Sequence, residues 1–315
     1  MAEVDIPPLG EGDVLVRTIC SGISSGTELL AYRGEIDPDL ALDETIGALG
    51  GTFRYPFRYG YSCVGLVEQS RGSVDEGALV FAFHPHQDRF VASASSVVSL
   101  GPVDPRIATL FPLVETAVQI TLDAAPLLDD EVVVFGLGAV GTLTAVLLGR
   151  AGARVVAVDP LSWRRDAAAS LGVTAVAPDG LTAALSRRAA RLGVPLIVEA
   201  SGRPEVLAES LQLLAHEGTA LVASWYGTKD VTLPLGASFH RRRLTIRSTQ
   251  VSTIPARLSG QWTAGRRRAV TGDLLTMLRL DPLATHDFPF SSAPDAFAAV
   301  DEAVPGLIHA AMWYA

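Results

Sequence analysis

Glu131-Val132-Val133-Val134-Phe135 runs directly into Gly136-Leu137-Gly138-Ala139-Val140-Gly141, and this junction decides the fold. The first five residues are a short, mostly apolar run of buried-strand length. Three glycines then turn the chain into a helical run over residues 142–151. A second apolar stretch, residues 154–158, ends in Asp159, 18 residues beyond Gly141. Strand, glycine loop, helix, strand and terminal acid together form the fingerprint of a dinucleotide-binding βαβ unit. Gly136 permits the tight turn, Gly138 lets the backbone approach a pyrophosphate, and Gly141 lets the helix pack close to the strand. The helix start, from Ala139 and Val140, offers free N–H groups and a positive dipole end to the diphosphate.

Asp159 is placed to accept hydrogen bonds from the adenosine ribose hydroxyls, which favours NAD(H). A 2′-phosphate meets like-charge repulsion there. Arg164 and Arg165 stand just beyond and soften that repulsion, so NADP(H) is disfavoured rather than excluded. Downstream, helices over 163–171, 181–192 and 204–215 alternate with strands over 196–200 and 219–224. That alternation predicts an α/β Rossmann fold, a doubly wound parallel sheet covered on both faces.

Working outward, residues 1–120 read as short strands, among them 14–19, 62–68 and 74–83, separated by Gly and Pro as in a β-rich barrel or sandwich. Residues 37–56 read as a surface insertion. Beyond 254 the pattern changes again, with a helix predicted over 262–280 and a strand over 310–314. The predicted division is 1–122, 123–253 and a return segment, 254–315. Hydrophobic residues at 49% against 19% charged suit a compact core rather than disorder. A formal charge of −9 argues against a nucleic-acid binder. Two cysteines, Cys20 and Cys63, make neither a disulfide framework nor a four-cysteine zinc site, which predicts a reduced, cytoplasmic protein. The first residues lack the basic and apolar regions of a signal peptide, and no run reaches the ~18–20 apolar residues of a membrane span.

Several further pieces carry a family likeness: Ser21-Gly22-Ile23-Ser24-Ser25-Gly26-Thr27-Glu28, Tyr59-Gly60-Tyr61-Ser62-Cys63-Val64-Gly65, Val198-Glu199-Ala200-Ser201-Gly202 and Leu280-Asp281-Pro282-Leu283-Ala284-Thr285-His286. With the β-rich start, central Rossmann unit and short return, the chain resembles the medium-chain dehydrogenase/reductase superfamily over nearly its whole length. The first of these stretches is similar to the zinc-free branch that contains bacteriochlorophyllide hydroxyethyl dehydrogenase. The resemblance implies a GroES-like substrate domain built from both chain ends. It also implies a nicotinamide pocket lined by Ser224-Trp225-Tyr226 and by Thr249-Gln250, beside Ser201. Homodimers joined at an edge strand of the Rossmann sheet are implied as well.

Departures from the family pattern are as informative. Zinc-dependent members carry a cysteine where this chain has Ser24 or Ser25, and a histidine where it has Tyr61. The third-ligand carboxylate survives as Glu115, and the structural-zinc lobe is missing. Zinc needs three or four N, S or O ligands, and serine and tyrosine are poor substitutes. A rearranged site from His84, His86 and Glu115 is the only alternative, and the expectation is no metal. Without one, hydrogen-bond donors must stabilise the charge that hydride transfer places on a carbonyl oxygen. By resemblance the Tyr61 phenol points into the cleft as a general acid, with core packing as its other reading. Thr27 matches a proton-relay hydroxyl, or else bonds its own turn. Glu28 is read as holding the loop. Glu115 either has a raised pKa and acts as acid or base, or pairs with an arginine. His84 and His86 either donate to a substrate oxygen or order their loop. The expectation is a zinc-independent oxidoreductase using NAD(H) on an alcohol/ketone group of a small, ring-bearing metabolite. A carbon–carbon double-bond or quinone reductase, and a non-catalytic NAD-binding sensor or scaffold, are the alternatives.

Overall fold

The computed structural model describes residues 3–315. The chain opens with the long strand β1 (Asp13–Ile23), whose alternately buried residues give one face to a core. Helix α1 (Thr27–Arg33) follows, closed by Gly34 in the left-handed conformation. Strands β2 (Cys63–Ser70), β3 (Leu79–Ala82), β4 (Arg89–Ser93) and β5 (Val97–Ser99) come next, then α2 (Pro105–Ala108), capped by the Asp104 carboxylate. Helix α3 (Phe111–Ala124) is buried along most of its length. The sequence reading gives no helix for α1 or α3. An apolar run buried nearly all round has no polar stripe to betray its period.

The Rossmann strands are β6 (Glu131–Phe135), β7 (Arg154–Val158), β8 (Thr174–Val176), β9 (Val194–Glu199), β10 (Leu214–Val222) and β11 (Thr245–Ser248). Between them lie α4 (Ala139–Arg150), α5 (Ser162–Ser170), α6 (Leu181–Ala184), α7 (Arg187–Leu192) and α8 (Pro204–Ser210), with α9 (Ala264–Met277) after the last. The single helix predicted over 181–192 is broken in two. Ser186 caps α7 through its side chain, while its own N–H donates to the Glu131 carboxylate 2.7 Å away. The helix predicted over 204–215 also ends early, because β10 begins at Leu214.

The chain finishes with β12 (Ala284–Pro289), α10 (Ala293–Asp301) and β13 (His309–Trp313). Two compact units result: residues up to Pro112 with Arg268–Ala315, and Leu113–Arg267. In the first, the sheet runs β12-β13-β1-β2-β3-β5 with β4 also paired to β1, so both chain ends share one sheet. In the second, all pairings are parallel and the order is β11-β10-β9-β6-β7-β8. The chain starts mid-sheet at β6, winds outward to β8 and returns to β9. The crevice for a ligand therefore lies where β6 and β9 diverge, at their carboxyl ends. Val132, Val134 and Val198 pack under α4 on one face, and Val133, Ile197 and Ala220 belong to the core on the other. No helix among the described residues is long and apolar enough to cross a membrane.

Candidate active site

The glycine loop sits at the β6–β9 divergence. Gly136 has φ 90°, and a Cβ there would lie 2.6 Å from the Ala200 carbonyl oxygen. A Cβ on Gly141 would approach the Gly136 carbonyl oxygen to 1.9 Å. Both positions are closed by backbone. Gly138, by contrast, has nothing within 4 Å of where its Cβ would stand. It is also the N-cap of α4 and brings no side chain to its free N–H groups. A helix start left open in this way fits an anionic group such as a diphosphate.

Asp159 is 2% exposed at the end of β7. Its Oδ2 accepts from the Leu137 N–H at 2.8 Å and its Oδ1 from the Leu161 N–H at 2.9 Å. The carboxylate thus ties the glycine loop to the loop after β7. Arg164 approaches it at 3.6 Å, and the buried Nε of Arg164 has no hydrogen-bond partner. Arg165 instead donates to the Asp159 and Pro160 carbonyls.

Glu199 received no role in the sequence reading, although it ends an otherwise apolar strand. It is fully buried, accepting from the Ser201 N–H at 2.7 Å and from the Ser201 hydroxyl. Its other oxygen accepts from the Tyr226 hydroxyl at 2.6 Å. Burial, and then Glu199 itself, push the Tyr226 pKa up, so that phenol stays a donor locked onto the carboxylate. Ser224 Oγ accepts from the Gly202 N–H, joining the loops after β9 and β10. Thr249 donates to the Asp123 carboxylate at 2.6 Å, while Trp225 and Gln250 are exposed. Ser201, Ser224, Trp225, Tyr226, Thr249 and Gln250 all follow the carboxyl ends of neighbouring strands.

In the β-rich unit, Tyr61 interacts with the Ser24 and Thr27 hydroxyls. Desolvation, then the nearby Glu28 charge, push its pKa up, so the phenol is neutral. Glu28 accepts from the Ser24 N–H at 2.9 Å, and its second oxygen is 2.7 Å from His86 Nε2. His86 Nδ1 lies 2.8 Å from Ser21 Oγ, itself 2.9 Å from the Tyr314 hydroxyl. Gly60, at φ 112°, passes directly over this imidazole: a Cβ would meet its ring at 2.6 Å. The loop carrying Tyr61 is thereby seated on the His86–Glu28 pair.

The model of the zinc-binding dehydrogenase family matches residues 139–264. The chain is 29% identical over 256 residues to the L-threonine 3-dehydrogenase of Streptomyces avermitilis, covering 69% of this chain and 71% of that one. It is 27% identical over 316 residues to the 2-desacetyl-2-hydroxyethyl bacteriochlorophyllide A dehydrogenase of Cereibacter sphaeroides, covering 91% and 86%. An alcohol dehydrogenase from Escherichia coli CFT073, solved in complex with NADH, superposes with a TM-score of 0.75 at 17% identity, covering 98% and 94%. These likenesses are to the medium-chain dehydrogenase/reductase superfamily, and the last of the curated relatives covers 91% of the chain. The chain's mixed sheet is the superfamily's GroES-like domain and its parallel sheet the Rossmann domain.

The groups around Tyr61 do not fit a zinc ion. They are hydroxyls and a phenol held neutral. Both thiols are buried, and burial pushes Cys63 up to about 12, whereas zinc binds thiolate. His86 and Glu28 already engage each other. His84 is turned away from its neighbour: its ring stacks on Phe90 at 3.9 Å, and burial pulls its pKa down to about 4. Glu115 is 3.1 Å from Arg267, both nearly fully buried, and Arg267 also donates to Gln119. Of the two readings of Glu115, the structure therefore shows the arginine pair. His84, His86 and Glu115 each have a different partner: Phe90, Glu28 and Arg267. No group of three or more His, Cys, Asp or Glu among the described residues is placed to hold a metal.

Proposed function

We propose that this dehydrogenase is zinc-independent and transfers hydride between NAD(H) and an alcohol/ketone group on a small, ring-bearing metabolite. The observation that carries the cofactor assignment is the contrast within the glycine loop: Gly136 and Gly141 are closed by backbone, while Gly138 faces open space above an uncapped helix start. The α4 N–H groups would hold the diphosphate of a dinucleotide, whose nicotinamide would supply the hydride donor or acceptor. Each Asp159 oxygen keeps lone-pair capacity for ribose hydroxyls, and the carboxylate repels a 2′-phosphate. Arg164 offsets part of that repulsion, so the preference for NAD(H) is a matter of degree.

On reduction the Tyr61 phenol would hydrogen-bond the carbonyl oxygen and pass its proton to it as hydride adds to the carbon, the resulting phenolate regaining a proton from solvent by way of the Thr27 hydroxyl; alcohol oxidation runs the same transfers in reverse. A phenol with a raised pKa serves better as an oxyanion donor than as a base taking a proton from an alcohol. Thr27, half-buried beside it, orients the phenol. A homodimer joined through β11, the edge of the parallel sheet, belongs to the same proposal.

The test is turnover of ring-bearing secondary alcohols with NAD+, and of the matching ketones with NADH, followed by NADH absorbance. Tyr61→Phe is expected to lower kcat by ~10²–10³-fold and leave NADH affinity unchanged. A metal chelator is expected to have no effect. Reduction of enones without any carbonyl activity, or one tightly held, activity-bearing zinc per chain, would overturn the reading.

A further inference from the structure

The surface insertion between α1 and β2 lines a half-open pocket of about 360 Å³, within the ~300–1,000 Å³ range of small-molecule sites. Its lining includes two arginines, Arg54 and Arg58, and no carboxylate, in a chain whose formal charge is −9. Phe57 and Leu42 supply apolar wall. Gly50 and Gly51 supply bare backbone, with nothing within 4 Å of an added Cβ at either.

We propose that this pocket binds the carboxylate or phosphate group of the substrate, which is therefore an acidic alcohol or ketone; this rests on the dehydrogenase reading above. Arg58 is held from behind. One of its N–H groups donates to Gln87 Oε1 at 3.3 Å, and the rest of the fork remains for a ligand. Gln87 is itself fixed, its side-chain amide donating to the Arg89 carbonyl at 2.6 Å and its backbone carbonyl accepting from the Thr18 hydroxyl. Arg54 pairs with Asp39, but both side chains are about two-thirds exposed. An ion pair that exposed is worth ~0–1 kcal/mol and exchanges readily for a better-placed anion. A guanidinium fork matches carboxylate and phosphate geometry in a way an ammonium does not. His84, close enough to feel the Arg58 charge, stays neutral above its pKa of about 4, so the positive charge here belongs to the arginines.

Position connects the pocket to the chemistry. Phe57 meets Tyr59 edge-to-face with ring centres 6.2 Å apart, and Tyr59 meets Tyr61 in the same way at 6.1 Å. Arg58 stands in this same run, three residues before Tyr61, so one short segment carries both the pocket wall and the proton donor.

The test has two arms. Phenylacetate, phenyl phosphate and inorganic phosphate are titrated calorimetrically into the full chain without cofactor. Saturable binding of at least one probe is expected, weakened tenfold or more by Arg58→Gln or by Arg54→Gln with Arg58→Gln. It is expected to be unchanged by Arg203→Gln, an exposed arginine outside the pocket. The preferred probe tells carboxylate from phosphate. No saturable binding, or equal binding to all variants, overturns the site while leaving the dehydrogenase assignment intact. In the second arm, KM is compared for acidic alcohols that are turned over and for their neutral methyl esters. A lower KM for the acid, lost in Arg58→Gln with kcat retained, supports the pocket as the substrate's anchor. Equal KM for acid and ester overturns it.

Discussion

Two alanine substitutions three residues apart separate the architecture of the glycine loop from its ligand. In Gly141→Ala the new methyl would stand 1.9 Å from the Gly136 carbonyl oxygen and 3.0 Å from its carbon. A carbon–oxygen contact normally rests near ~3.3–3.6 Å, so α4 and the loop must part by more than an ångström. Overpacking of that kind costs ~1–3 kcal/mol. At roughly 2–4 °C per kcal/mol for a unit of this size, the melting temperature should fall by several degrees. The displaced N–H groups should also lose charge-assisted bonds worth ~1.5–3 kcal/mol, or about 10–100-fold in NADH affinity. Gly138→Ala behaves differently. Its backbone, at φ −65° and ψ −178°, is open to alanine, and the methyl meets nothing within 4 Å. The weaker N-cap is offset by a less flexible unfolded chain, so stability should stay within ~1 kcal/mol of wild type. NADH affinity should still fall about tenfold or more, because the methyl fills the space left for the diphosphate. Thermal melts and NADH fluorescence titrations of both variants decide the matter. Wild-type NADH binding by Gly138→Ala, or a wild-type melt of Gly141→Ala, would refute the reasoning.

Asp159→Ala should weaken NADH binding, narrow the gap to NADPH and loosen the loop that Leu137 and Leu161 anchor; paired titrations and a melt check this, and an unchanged NADH/NADPH ratio contradicts it. Arg267→Met strands the buried Glu115 carboxylate and should cost ~3–5 kcal/mol in urea unfolding, much of it recovered when Glu115→Leu is added. An equal loss in single and double variants would show that the pair itself was not at issue. His309 is buried with Nε2 2.8 Å from the Thr109 hydroxyl, and burial lowers its pKa from 6.5 to about 4. The unfolded chain therefore binds this proton first on acidification. Stability is full above pH 6.5, falls by ~1.4 kcal/mol per pH unit below it, and levels near the folded value of about 4. His309→Asn should remove one proton's worth of that slope from the pH dependence of urea midpoints; an unaltered slope contradicts the assignment.

The Rossmann half was legible because its determinants are local. Gly136 to Gly141, the valine-rich run before them and Asp159 after them lie within one βαβ unit. The break between α6 and α7 was not, since it depends on Glu131 accepting from the Ser186 N–H across 55 residues. Helix α3 was hidden by burial, which erased the polar face that marks a helix. In the site, Tyr61 and Thr27 stood out by their position in family-like stretches, and the structure brings them together with Ser24. The use of His86 as the partner of Glu28 links positions 58 residues apart, and Glu199 with Tyr226 links positions 27 apart. Neither pairing has a spacing that sequence alone reports. The one available signal for Glu199 was a carboxylate closing an apolar strand at the edge where ligands bind.

Titration of the purified full chain with NADH and with NADPH tests the central claim most directly. One NADH per chain, bound more tightly than NADPH and weakened by Gly138→Ala, is the result expected. Absence of saturable NADH binding, or tighter binding of NADPH, would contradict it.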